Sequence, residues 1–168
     1  KQETLVDLEV GQFLRMIAAE LRDRVAIKGS RGPSQAAPVS WTYAELLTQS
    51  ENAAAALLSD FSPGDHVALW CANRPEWVIA QFGAALAGIV LVAINPASRP
   101  NELLHALTVS DSAGIILDRE FRSTDCVAII ESLRGDLPML RKTKLIEDLA
   151  QAPRPETMPI LPEVSLSS

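Results

Sequence analysis

A chain of 168 residues has room for one domain that buries roughly 70% of its unfolded surface. Its 15 basic and 21 acidic residues give a net charge of -6, which speaks against a general nucleic-acid or anionic-membrane binder, since both need a positive field. Two distant cysteines and no apolar run near the roughly 18 residues of a membrane span argue against a disulfide scaffold, a cysteine zinc site and a transmembrane anchor.

The opening residues, Lys1 to Asp7, lack the apolar core of a signal peptide, so they read as an internal start or a processed end. Cys71 and Cys126 sit in apolar surroundings and read as reduced, buried small hydrophobes, which suits a cytoplasmic compartment. From Asp7 to Arg24, Val10, Phe13, Leu14, Ile17, Ala18 and Leu21 recur at helical spacing, with Asp7 as the N-cap candidate. Val25 to Ser30 and Pro38 to Trp41 read as two short strands joined by the turn-rich Arg31 to Ala37, a hairpin-like excursion. Thr42 and Glu45 then carry the capping-box spacing, which opens an alanine-rich helix to about Ser59.

After the Ser62-Pro-Gly-Asp65 turn the pattern becomes regular. His66 to Cys71 is an apolar strand, and Pro75 to Ala87 a helix with proline at its start and Gly88 past its end. Ile89 to Ile94 is apolar without alternation, the pattern of a strand covered on both faces. Pro100 to Val109 is the next helix and Gly114 to Leu117 the next strand. Ser123 or Thr124 is placed to cap a helix to about Arg134, and Thr143 to Ile146 forms a final strand. Strands alternating with such helices predict an α/β fold: a Rossmann-like, mainly parallel sheet with helices on both faces, preceded by the short helix and hairpin. Pro153, Pro155, Pro159 and Pro162 then divide the chain into a unit over 1–150 and a Pro/Ser-rich linker or tail over 151–168.

Few residues carry chemistry. There is no G-x-G-x-x-G, Walker A or G-x-S-x-G, and His66 and His105 stand alone, so the sequence offers no catalytic residue, no metal ligands and no cofactor-binding residue. Asp65 reads as a turn residue satisfying backbone amides, and Arg141, Lys142 and Lys144 as a solvated strand edge. The strand ends near Asn73 and near Asn95 and Pro96 face the carboxyl edge of the sheet, where α/β folds place their ligand crevices.

In order along the chain stand Trp41-Thr-Tyr-Ala-Glu-Leu46, Gly64-Asp65, Asn73-Arg-Pro-Glu-Trp77, Leu86-Ala-Gly88 through Asn95-Pro96, and Arg99-Pro-Asn-Glu-Leu103. This series resembles the N-terminal portion of the AMP-forming adenylating enzymes, the ANL superfamily of acyl-CoA synthetases and ligases. The resemblance covers residues 41–118, and Asn-Pro at 95–96 looks more like acyl-CoA ligases than peptide synthetases. Arg74 and Arg99 depart from the family's usual helix-capping residue before the proline. The resemblance implies a parent that activates a carboxylic acid, by default a fatty acid, with ATP and magnesium and passes the acyl group to coenzyme A. The phosphate-gripping Ser/Thr/Gly-rich loop is absent from these residues, so the resemblance carries no catalytic residue here. It implies an inactive scaffold whose partners are downstream core and C-terminal domains of the same polypeptide. Asn73, Asn95 and Pro96 are the candidates for an acyl or coenzyme A channel. A non-catalytic docking module of the same fold, or an unrelated nucleotide-binding domain, stays open as an alternative, as does the oligomeric state.

Overall fold

A computed structural model describes residues 9–30 and 38–161. Helix α1 spans Val10–Glu20 and buries Gly11, Leu14 and Ala18. It is shorter than its sequence pattern because Leu21 leaves helical geometry and closes the last turn through a bond from its N–H to Ile17. Asp7, the expected N-cap, and the 31–37 connection lie outside the described residues. Strands β1 (Val25–Gly29) and β2 (Val39–Thr42) pair antiparallel, as the hairpin reading requires.

Helix α2 (Tyr43–Leu58) starts as its capping box dictates. Thr42 Oγ1 accepts from the Glu45 N–H at 3.2 Å, and Glu45 Oε2 accepts from the Thr42 N–H at 2.8 Å. The strands β3 (His66–Trp70), β4 (Val90–Ala93), β5 (Gly114–Leu117) and β8 (Lys142–Leu145) form one parallel sheet in the order β4-β3-β5-β8. Helix α3 (Pro75–Leu86) joins β3 to β4, and α4 (Pro100–Val109) joins β4 to β5. Gly88 ends the α3 turn at φ +67, a left-handed conformation that a side chain would strain.

The two central strands are apolar on both faces because both are covered. Val67, Leu69 and Ile116 join α1, α2, α3 and the short α6 (Ile146–Ala150) in one cluster. Ala68, Trp70, Ile115 and Leu117 join α4 and α5 (Cys126–Leu133) in the other. Alternate residues of a strand point to opposite faces, so an unbroken apolar run serves two layers at once.

Three expectations need correction. β4 is an edge strand, with Val90 46% exposed, because β3 takes its inner side and no described strand takes its outer one. Its apolar run therefore does not signify coverage. Ser123 and Thr124 cap no helix: they lie in a small antiparallel hairpin of β6 (Glu120–Phe121) and β7 (Thr124–Asp125), and Asp125 caps α5 by accepting from the Ala128 N–H at 2.9 Å. Ile146 starts α6 instead of ending a strand. Residues 151–161 carry no helix or strand, and Leu161 packs against the α2–α3 cluster. Among the described residues no helix is long and apolar enough to cross a membrane.

Candidate functional site

Because all four strands run parallel, their carboxyl ends and the following loops gather on one edge. There, a hollow of about 220 Å3 opens between the turn after β4 and the β6–β7 hairpin. Trp70 forms its floor, Pro96, Ala97 and Ser98 one wall, and Phe121, Arg122 and Thr124 the other, with Cys126 behind.

Local sequence shapes both walls. Asn95 Oδ1 accepts from the Ala97 N–H at 2.9 Å, an Asx turn that sends the chain back across the strand end. The Asn95 carbonyl accepts from the Trp70 indole N–H at 3.1 Å and ties this wall to the end of β3. The opposite wall hangs on a two-residue turn in which Arg122 and Ser123 are both left-handed, at φ 48 and 66. Two such residues match the twist of a tight hairpin. The Arg122 guanidinium carbon lies 5.1 Å from the centre of the Phe121 ring.

Of the three residues singled out from sequence, Pro96 lines the hollow. Asn95 is exposed and shapes the wall beside it, and Asn73, also exposed, is not among the lining residues. Sequence reasoning missed Arg122, since the hairpin lacks the Asn-Gly pair that signals such a turn. Arg122 is the only charged residue among those lining the hollow, with the Ser98 and Thr124 hydroxyls beside it. Such a set suits an anionic or neutral ligand. Burial pushes the Cys126 thiol up to about 11, so it is not a ready nucleophile.

Behind this edge sits an ion cluster that the sequence did not announce. Arg74, the N-cap residue of α3, makes no capping bond. Its Nε donates to Glu76 at 3.0 Å, and its Nη1 donates to Asp118 at 2.8 Å and Glu147 at 2.7 Å. Asp118 also accepts from the Ala72 N–H at 2.7 Å. Burial opposes the charge on Arg74, but its hydrogen bonds to Asp118, Glu147 and Glu76 outweigh it and hold its proton more firmly than usual. Asp118 and Glu76 are themselves buried.

The amino edge of the sheet is different in kind. Asp60 pairs with Lys144 at 2.5 Å and Lys142 at 3.2 Å, and Asp65 pairs with Arg141 while accepting from the Ser62 N–H at 2.8 Å. The basic cluster is thus neutralised by its own chain: Arg141 and Lys142 are exposed, as at a solvated edge, whereas Lys144 is half-buried against Asp60. His66 Nδ1 lies 2.6 Å from the Ser110 carbonyl, a structural contact.

Residues 14–165 match the profile of the AMP-binding enzyme family. Bacillus subtilis (strain 168) YngI, whose name places it among acyl-CoA synthetases, is 32% identical over 141 residues, covering 83% of this chain and 24% of the relative. The mitochondrial medium-chain acyl-CoA ligase ACSF2 of Mus musculus is 29% identical over 164 residues, covering 92% of this chain and 26% of the relative. Among solved structures, apo MbtA of Mycobacterium smegmatis superposes with a TM-score of 0.77 at 25% identity, over 95% of this chain and 29% of that one. The chain spans about a quarter of the length of the curated relatives it matches.

Proposed function

Because the chain belongs to the AMP-binding enzyme family, we propose that it forms the N-terminal scaffold of an acyl-CoA ligase. The complete polypeptide condenses a carboxylic acid with ATP to an acyl-adenylate, releases pyrophosphate, and transfers the acyl group to coenzyme A. A fatty acid is the default substrate, ATP, magnesium and coenzyme A are the co-substrates and cofactor, and the cytoplasm is the compartment.

One observation carries this reading: the family match runs through nearly the whole chain, and the named relatives are acyl-CoA synthetases or ligases about four times its length. The described residues hold no glycine-rich loop with a lysine to grip a triphosphate, so that task falls to the rest of the polypeptide. What these residues contribute is the sheet, the ordered loops of its carboxyl edge, and the hollow whose Arg122 suits the phosphates of a passing nucleotide or coenzyme.

The test is acid-dependent ATP–pyrophosphate exchange and acyl-CoA formation by the full-length protein over a panel of fatty and aromatic acids. Activity with at least one acid, and none from the 168-residue chain alone, is the expected result. Exchange by the isolated chain would overturn the scaffold assignment, and a full-length protein inert with every acid would overturn the ligase assignment.

A further inference from the structure

We propose that Arg74 is a positioning residue for the hollow at the carboxyl edge: its guanidinium sets where the Phe121–Arg122 turn stands relative to Pro96. The claim that a substrate uses the hollow rests on the ligase reading above; the claim about position does not.

Backbone bonds reach only the base of this turn: the Asp118 N–H donates to the Trp70 carbonyl at 3.4 Å and the Cys126 N–H to the Arg119 carbonyl at 3.1 Å. β5 ends at Leu117, the β6–β7 hairpin has only two residues in each strand, and the turn residues Arg122 and Ser123 are exposed. A two-stranded ribbon this short has little stability of its own. The side chain at its root is Asp118, the first of the two residues between β5 and β6. One carboxylate oxygen of Asp118 holds the Ala72 N–H, and the other holds Arg74 Nη1. That nitrogen also holds Glu147 on α6, while Arg74 Nε holds Glu76 in the first turn of α3.

One side chain therefore joins the segments that follow β3, β5 and β8. Its own side chain is only 10% exposed, so these bonds form where water competes little. The wall across the hollow is anchored separately, through the Trp70 indole to the Asn95 carbonyl. Trp70 closes β3, only four residues before Arg74. The two walls thus reference one strand end, and Arg74 supplies the side-chain tie that orients the Asp118 carboxylate and links it to α6.

Geometry also explains why arginine stands here at the expense of a helix cap. A guanidinium is a rigid fork that addresses several carboxylates in fixed directions, and an ammonium is a point charge on a flexible stem. Arg74→Lys keeps the charge and loses the fork, which separates positioning from electrostatics.

The test compares Arg74→Lys with the unsubstituted protein in two ways. In the 168-residue chain, amide resonances of Glu120 to Asp125 and the Trp70 indole resonance are expected to shift, while those of α4, such as Leu103, stay in place. In the full-length enzyme, the KM for the substrate that enters the hollow is expected to rise on the order of tenfold with kcat kept, the signature of lost uniform binding. Asp118→Asn, which removes the charge but keeps the shape, serves as a second variant and decides the matter if Arg74→Lys does not fold. Unmoved hairpin resonances, or resonances that move while every KM stays constant, overturn the proposal. If the unsubstituted full-length protein forms no acyl-CoA, the ligase reading fails and the resonances alone decide the role of Arg74.

Discussion

The ring of Phe61 covers Gly114 so closely that a Cβ built on the glycine would stand 2.2 Å from Cζ. Phe61 is 5% exposed and caps the start of the central strand β5, with the Arg141 guanidinium 6.0 Å from its centre. Gly114→Ala must push the ring out of its seat. A loss of about 1–3 kcal/mol in urea unfolding is expected, the usual cost of overpacking. Phe61→Leu in the same chain should recover part of it, and two additive losses would show that the ring is not what the methyl meets.

Gly83 marks the closest approach of α2 and α3. A Cβ there would lie 2.9 Å from the Ala53 Cβ, 3.2 Å from the Ser50 carbonyl oxygen and 3.3 Å from the Ala54 nitrogen. Two of these three neighbours are backbone, which cannot rotate away. Helix propensity favours alanine by about 1 kcal/mol, yet Gly83→Ala is expected to lower the melting temperature because the helices must separate. Gly135→Ala is the control: a Cβ there meets nothing within 4 Å, so the same change should be neutral or mildly stabilising.

Arg74→Met strands three carboxylates, two of them buried, without their shared cation. Breaking a buried ion cluster from one side costs about 3–5 kcal/mol. Chemical denaturation should show a loss of that size, clearly larger than for Arg15→Met, whose pair with Glu51 lies at the surface at 3.6 Å. Equal losses in the two variants would mean that the cluster contributes no more than a surface pair.

Acid sensitivity should originate partly at the amino edge. Lys144, working against the cost of burial and aided by Lys142, holds the Asp60 carboxyl below the usual carboxylate range. The Ser62 N–H, against burial and with Arg141, does the same for Asp65. A carboxyl whose folded pKa is depressed adds stability above its unfolded pKa of about 3.9, and that stability drains away as pH falls through the folded value. Asp60→Asn and Asp65→Asn should therefore lower stability at pH 7 and flatten its decline below about pH 5. An unchanged slope in both variants would place the acid-sensitive carboxylates elsewhere.

Both cysteines should be silent in the folded chain. Burial, then the charge of Asp118, pushes the Cys71 thiol up to about 12, and the same two causes in the same order push Cys126 up to about 11. A disulfide-exchange reagent at pH 8 is expected to find no reactive thiol in the native protein and two after unfolding in guanidinium. Rapid native labelling of Cys126 would mean that the hollow opens far enough to expose it.

The legible parts of this molecule are those whose causes are local. Thr42 with Glu45, Pro75 with Gly88, and Asp65 in its turn act on atoms within a few residues, so their spacing in the chain already dictates their bonds. The candidate site was legible only as a place. The carboxyl edge and Pro96 follow from the alternation of strands and helices, but Arg122 enters through a turn formed without the usual glycine.

By itself, then, the sequence determined the α/β class, the starts of α2, α3 and α4, and the family, because periodicity, capping and proline are properties of short segments. Only the tertiary structure decided that β4 is an edge, that Phe61 lies on Gly114, and that Arg74 meets Asp118 and Glu147 across 44 and 73 residues. Such contacts arise from the order in which parallel strands assemble. That order depends on how whole elements share the two faces of the sheet, which no single segment records.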